Sequence, residues 1–461
     1  MTLIKSISGI RGTIGNHPGD NLTPIDVVRF VSAFGVWLKN QSESNKHKIV
    51  VGRDARLSGE MMEQLVTGTL IGLGYEVVSL GLATTPTVEI AVEEERADGG
   101  LIITASHNPK EWNALKLLNN KGEFLGKEEG EEVLIIAENK SWEFVEVHKL
   151  GHIIEKDYLD RHIKKIMELP LVEKKPISRA KLKVVVDGIN SVGGVAIPKL
   201  LNKMGVKNVI KINCEPTGMF AHEPEPLPEN LTEITDAVRK NKADLGIVVD
   251  PDVDRLAFVD ENGKMFGEEY TLVAVADYVL QNTAGNTVSN LSSTKSLREL
   301  TETHGGKYFP SAVGEVNVVA KMKDTNAVIG GEGNGGVIYP AIHYGRDALA
   351  GVALFLTFLA QSGITCSELR KKYPTYHISK NKIQLNEDTD TNKILEKLQE
   401  IYKDYPVNTE DGVKIEFDEG WVHLRQSNTE PIIRVYAEGN NKEIAEKLSG
   451  RIIKEVEGMN D

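Results

Sequence analysis

Cysteine is almost absent: Cys214 and Cys366 stand alone in 461 residues. That scarcity argues against a disulfide framework or a thiolate metal site and makes a reducing compartment the simpler setting. Long hydrophobic runs are missing as well. The most apolar stretch, residues 348–360, falls short of the about 20 residues that cross a bilayer and reads as a buried helix. Residues 1–15, broken by Arg11 and several glycines, lack the continuous apolar segment of a secretory leader. There is no excess of positive charge either. The 54 basic side chains face 67 acidic ones for a net charge of −13, which opposes a general nucleic-acid-binding role. A local arginine cluster can still hold a small anion in a cleft. No Walker A sequence occurs, so a P-loop kinase or ATPase is disfavoured. The expectation is a cytoplasmic protein with neither a nucleic acid nor a membrane as partner.

What is present is length and alternation. A chain of this size exceeds one ordinary core and implies roughly three or four domains. Three consecutive stretches alternate apolar β-rich runs with helical patterns, the signature of βαβ units around a mostly parallel sheet. Expected strands include 48–51, 75–80, 100–104, 182–187, 245–249 and 256–259, with helices over 59–73 and 193–204. The stretches agree in element order rather than in residues. The last stretch reads as α+β: strands 377–385, 412–418, 421–425 and 432–438 with helices 391–405 and 442–457. Junctions near 150–156, 261–264 and 373–377 divide the chain into 1–152, 153–262, 263–374 and 375–461.

Four segments carry chemistry. Ser106, in Thr104-Ala105-Ser106-His107-Asn108-Pro109, follows an apolar strand, where open α/β sheets place their ligands. Residues 110–118 read as a helix whose first amides would face an anion on Ser106, and Lys116 would return to the site as a cation or proton carrier. On its own hexapeptide Ser106 is no better than a helix N-cap, and the G-x-S-x-G frame of an acyl hydrolase is absent. Asp250, Asp252 and Asp254 alternate in Asp250-Pro251-Asp252-Val253-Asp254-Arg255 between two apolar strands. Three such carboxylates suit a hard cation that also holds a phosphate oxygen. An EF-hand would need glycine where Arg255 stands. Gly331-Glu332-Gly333-Asn334-Gly335-Gly336 satisfies G-x-G-x-x-G by letter, but Val337-Ile338-Tyr339-Pro340 cannot open the helix a dinucleotide needs. Glu332 and Asn334 fit vicinal sugar hydroxyls better, with a plain glycine turn as the rival. Arg425, Ser427, Asn428, Thr429 and Arg434 put two guanidinium groups and three polar side chains on one turn, a composition suited to a phosphate.

In this order and spacing the four segments resemble the α-D-phosphohexomutase family across essentially the whole chain. Gly9-Ile10-Arg11-Gly12, Gly52-Arg53-Asp54-Ala55-Arg56, Pro86 and Val313-Gly314-Glu315 resemble further family motifs. The resemblance implies four domains around a central cleft: three α/β domains and a C-terminal α+β domain like the TATA-binding protein. It implies that phosphorylated Ser106 donates to a hexose phosphate, forms a hexose bisphosphate intermediate and takes the other phosphoryl back. Magnesium (Mg2+) on Asp250, Asp252 and Asp254 would touch a phosphoserine oxygen. Arg11, Lys116 and Arg255 would act around the transfer, with Lys116 as candidate general acid/base. Glu332 and Asn334 would read the sugar, and Arg425, Ser427, Asn428, Thr429 and Arg434 would grip the phosphate at rest. Many bacterial members carry histidine where this chain has Gly336. His343 is a possible substitute, although a capping or core role suits it better. The preferred reading is a phosphoglucosamine mutase, monomeric or homodimeric, with a phosphomannomutase/phosphoglucomutase as alternative. A metal-dependent sugar phosphatase and a non-catalytic sugar-phosphate sensor are rivals from other classes.

Overall fold

The computed structural model describes residues 2–6, 9–385, 390–427 and 432–460. Among these residues it holds four sheets of seven, four, four and five strands. The first three share one core order. In the first, Lys48–Arg53 lies between Glu76–Leu82 and Gly99–Ile103, all parallel, and Trp112–Leu118 returns antiparallel beside Gly99–Ile103. In the second, Lys183–Asp187 lies between Asn208–Ile212 and Leu245–Val249, with Leu256–Asp260 antiparallel outside. In the third, Asn286–Asn290 lies between Tyr308–Ser311 and Ala327–Glu332, with Gly336–Ile338 antiparallel outside. The likeness in element order is therefore a likeness of topology. Each of the three candidate loops leaves the carboxyl end of the third parallel strand and turns into the antiparallel one, where α/β sheets bind ligands.

One expected helix is a strand. Trp112–Leu118 pairs antiparallel with both Gly99–Ile103 and Gly9–Thr13. Both of its faces are covered: Leu115 and Leu117 enter one core cluster and Leu118 another. A strand buried on both sides loses the polar–apolar alternation that marks strands in sequence. Ser106 thus sits in a hairpin connection, without a helix N-terminus behind it.

The apolar stretch 348–360 is a helix as expected, Ala348–Ser362, with every residue from Ala348 to Leu359 buried. It packs among core residues of the second and third sheets, where the Phe258 and Phe355 rings stack at 3.8 Å. The fourth sheet is antiparallel throughout, and two helices, Thr391–Ile401 and Lys442–Asn460, belong to the same unit. It docks on the third unit through Lys414 Nζ to the Leu291 carbonyl at 2.8 Å and the Lys295 amide to Glu438 Oε1 at 3.0 Å. No helix among the described residues is long and apolar enough to cross a membrane.

A buried ionic cluster joins the first three units. His162 Nε2 lies 2.8 Å from Asp347 Oδ2, and its Nδ1 lies 2.9 Å from Thr87 Oγ1. His343 stands between Asp347 Oδ2 at 3.3 Å and Glu89 Oε2 at 3.2 Å. Burial opposes a proton on His343, but the facing carboxylates of Asp347 and Glu89 outweigh it and lift the imidazole to about 10. Burial pushes Glu89 up to about 8, moderated by His343. Removing one member of a buried pair strands the other charge, so His343→Leu should cost about 3 kcal/mol, measured by denaturant unfolding. A raised folded-state pKa contributes stability that is complete below the unfolded value of 6.5 and is lost as pH rises through about 10. The gap between wild type and variant should shrink over that window; a gap that widens toward pH 10 contradicts the assignment.

Candidate active site

Ser106 has a left-handed backbone, with φ +49°, uncommon outside glycine. Its amide donates to Thr104 Oγ1 at 2.9 Å, and that hydroxyl donates to Asp54 Oδ2 at 2.7 Å. Arg56 fixes the rest of the loop. Its Nε reaches Asp54 at 3.1 Å, Nη1 the carbonyls of Pro109 and Trp112 at 2.6 and 2.9 Å, and Nη2 those of Ser106 and Asn108 at 2.5 and 2.6 Å. All five N–H donors of the guanidinium are used. So held, Ser106 Oγ donates to Asp250 Oδ2 at 2.7 Å.

The Asp250–Asp254 loop is fully buried at its three carboxylates, whose nearest oxygens lie within 4.8 Å of one another. Val253 takes φ +66° inside it, a strained state for a β-branched residue worth roughly 1–3 kcal/mol. Each carboxylate is divided between partners. Asp250 Oδ1 accepts the amides of Asp254 and Arg255, both at 3.1 Å. Asp252 Oδ2 accepts Thr85 Oγ1 at 2.6 Å and Lys116 Nζ at 2.7 Å. Asp254 Oδ2 accepts Arg346 Nη2 at 2.7 Å and Lys116 Nζ at 3.4 Å. The Oδ1 atoms of Asp252 and Asp254 are buried without a hydrogen-bond partner. Orphaned anionic oxygens of this kind fit a bound divalent cation with oxygen ligands.

Electrostatics follow from this crowding. Burial raises Asp250 well above the carboxylate range, and the Asp254 and Asp252 charges add to it. Burial works the same way on Asp254, but Arg346, Lys116 and Arg255 outweigh it and hold its pKa low. Lys116 loses affinity for its proton by burial yet is raised overall by Asp252 and Asp254. Burial lowers Arg11, and the Arg255 charge lowers it further. Burial also lowers His107, with Arg255 the next cause. The Arg11 and Arg255 charges both bear on His107, the chain neighbour of Ser106, while Arg255 Nη1 lies 3.2 Å from Glu225 Oε1; a concentration of positive charge of this kind favours an anion.

Glu332 ends its strand with Oε1 accepting Asn290 Nδ2 at 2.8 Å and the Gly314 amide at 3.0 Å, and Oε2 accepting Arg346 Nη1 at 2.8 Å. Asn334 Nδ2 is 3.5 Å from Oε2. Gly335, at φ +85°, lies so close to the strand after the aspartate loop that a Cβ would stand 2.2 Å from the Leu256 carbonyl oxygen. The segment that follows is the strand Gly336–Ile338, so a dinucleotide site is ruled out. On the fourth sheet Arg425 pairs directly opposite Arg434, which sets two like charges at cross-strand neighbour positions. Ser427 is buried beside them, whereas Asn428 and Thr429 lie outside the described residues.

Residues 3–144, 158–263, 267–376 and 382–455 match, in turn, the phosphoglucomutase/phosphomannomutase alpha/beta/alpha domains I, II and III and the C-terminal domain of that family. The chain belongs to the phosphohexomutase family. A phosphoglucomutase/phosphomannomutase of Thermococcus kodakarensis is 36% identical over 441 residues, covering 95% of this chain and 94% of that protein. A phosphoglucosamine/phosphogalactosamine mutase of Sulfurisphaera tokodaii is 33% identical over 466 residues, covering 99% and 100%. A phosphoglucomutase/phosphomannomutase family structure from Burkholderia thailandensis superposes with a TM-score of 0.85 at 25% identity, covering 99% and 98%. This phosphohexomutase is thus an enzyme, a mutase of four domains.

Two residues of the site escape sequence reasoning. Arg56 lies in one of the motifs named above, but apart from Asp54 its side-chain acceptors are carbonyls fifty or more positions away. Arg346, three residues after His343, reaches Asp254 across 92 positions. The one available signal was an arginine immediately before Asp347, whose side chain caps a very apolar helix. His343 itself is buried in the ionic cluster between Glu89 and Asp347.

Proposed function

We propose that this phosphohexomutase interconverts hexose 6-phosphate and hexose 1-phosphate through phosphorylated Ser106, with glucosamine phosphate as preferred substrate. The observation that supports the reading is the contact of Ser106 Oγ with Asp250, which brings the hydroxyl proposed as phosphoryl carrier against the aspartate loop. Arg11 and Arg255 hold the phosphate in transit. Lys116 carries the proton exchanged with the sugar hydroxyl, and Glu332 and Asn334 orient that sugar. Arg425, Ser427, Asn428, Thr429 and Arg434 grip the phosphate that is not reacting, so either end of the sugar can face Ser106. Magnesium held by Asp250, Asp252 and Asp254 would neutralise charge on the transferring phosphoryl group. The sugar returns as a bisphosphate, turns, and gives its other phosphoryl back to Ser106.

The glucosamine preference is supported by the Sulfurisphaera tokodaii relative's name. The Thermococcus kodakarensis relative favours a glucose or mannose phosphate instead. Turnover of glucosamine, glucose and mannose 1-phosphates, each primed with hexose 1,6-bisphosphate, decides between them. Glucosamine 1-phosphate should be the fastest. Fast mannose 1-phosphate turnover beside negligible glucosamine turnover overturns the preference, and phosphate release matching substrate loss marks a phosphatase.

A further inference from the structure

We infer that Arg346 is a positioning residue that sets the aspartate loop and the sugar loop against each other, so that one guanidinium governs the geometry of both. The inference rests on the reading above, in which Asp254 holds a metal and Glu332 orients the sugar. Three different nitrogens meet three different carboxylates: Nη2 to Asp254 at 2.7 Å, Nη1 to Glu332 at 2.8 Å and Nε to Glu315 at 2.9 Å. The Arg346 amide also donates to Glu315 Oε1 at 3.1 Å. A planar fork fixes the angles between those bonds as a lysine cannot. The residue is only 8% exposed, so solvent does little to screen the pairs.

The surrounding chain is shaped to this side chain. Gly336 lies opposite Glu332 in the hairpin, and a Cβ at Gly336 would stand 2.3 Å from Arg346 Cδ and 3.0 Å from Cγ. Glycine at 336 is what lets the arginine stem cross the strand beside Glu332. The backbone is anchored on both sides as well. The Asp347 amide donates to the Val337 carbonyl at 2.8 Å, and the Ala348 amide to the carbonyl of Val253 at 3.2 Å. Val253 is the left-handed residue in the middle of the aspartate loop.

Charge alone does not account for the arrangement. Lys116 already brings a cation to Asp254. What Arg346 adds is direction. By holding Asp254 through Oδ2 it leaves the unpartnered Oδ1 for a cation. By holding Glu332 through Oε2 it opposes the Asn290 and Gly314 donors on Oε1, so the carboxylate cannot swing.

Arg346→Lys keeps the charge and removes the fork. In the purified full chain, magnesium affinity read by calorimetry without sugar should fall about tenfold or more, the usual cost of losing a partner behind a metal ligand. The KM for hexose phosphate at saturating magnesium should rise several-fold in the same variant. Gly336→Ala, which changes no charge and presses on the arginine stem, should move both quantities the same way by a smaller factor. It decides the matter if the lysine variant does not fold. A folded Arg346→Lys protein with both quantities within twofold of wild type overturns the inference, as does a shift in only one of them. A wild-type protein that binds magnesium but no hexose phosphate sinks the functional reading instead, while the magnesium arm still reports on Asp254.

Discussion

Ser106→Ala is expected to abolish mutase turnover, by at least about four orders of magnitude as befits removal of a covalent carrier, while leaving the fold intact. The loop does not depend on the serine hydroxyl. Arg56 grips the carbonyls of Ser106, Asn108, Pro109 and Trp112, all backbone atoms that alanine retains. Alanine and serine bear a similar cost at φ +49°, so stability should change by no more than about 1 kcal/mol. The interactions lost are the hydroxyl's contacts with Asp250 Oδ2 at 2.7 Å and with His107 Nδ1 at 3.4 Å. Intact-mass measurement should find a fraction of the purified wild-type chain one phosphoryl group heavier and none of the variant so modified. An adduct that survives the substitution, or turnover within tenfold of wild type, would place the carrier elsewhere.

The contrast between Arg56 and the aspartate triplet shows which parts of this enzyme can be read from its residues. Asp250, Asp252 and Asp254 were legible because apolar strands enter and leave their loop, pinning a local pattern to a sheet end. Leu245–Val249 and Leu256–Asp260 are indeed those strands. In Trp112–Leu118 burial on both faces erases the alternation, so a strand reads as a helix and a helix terminus is expected behind Ser106 where the chain has a hairpin connection. Arg56 and Arg346 act on acceptors far along the chain, and no local rule assigns an arginine to a carbonyl fifty residues away. Nor does the sequence announce Val253 in a left-handed state. A β-branched residue is among the least expected there, and only the bonded frame of Asp250 and Ala348 around it explains how the strain is held.

Asp252→Asn should separate metal from sugar where Arg346→Lys moves both. The Asp252 carboxylate has no exposure and serves two sides. Its Oδ2 takes donors from Thr85 and Lys116, and its Oδ1 has no partner. An amide cannot satisfy both. Turned one way, its NH2 group opposes the Thr85 and Lys116 donors; turned the other, it puts hydrogens where a cation would need an oxygen. The substitution also removes one of three negative charges from the cation's setting. Lys116 is left with Asp254 at 3.4 Å, which weakens the electrostatic hold on its proton. Magnesium affinity should fall by roughly two orders of magnitude and magnesium-dependent turnover by about a thousandfold. Hexose phosphate binding, measured by calorimetry, should stay within about threefold, because in the proposed reading Glu332 and the Arg425–Arg434 pair hold the sugar from other domains, and the substitution leaves the Glu332 bonds to Asn290 and Arg346 in place. Turnover that remains magnesium-dependent and near wild type would remove Asp252 from the metal set. Sugar binding lost in parallel would mean that the distal grip is not independent of the aspartate loop.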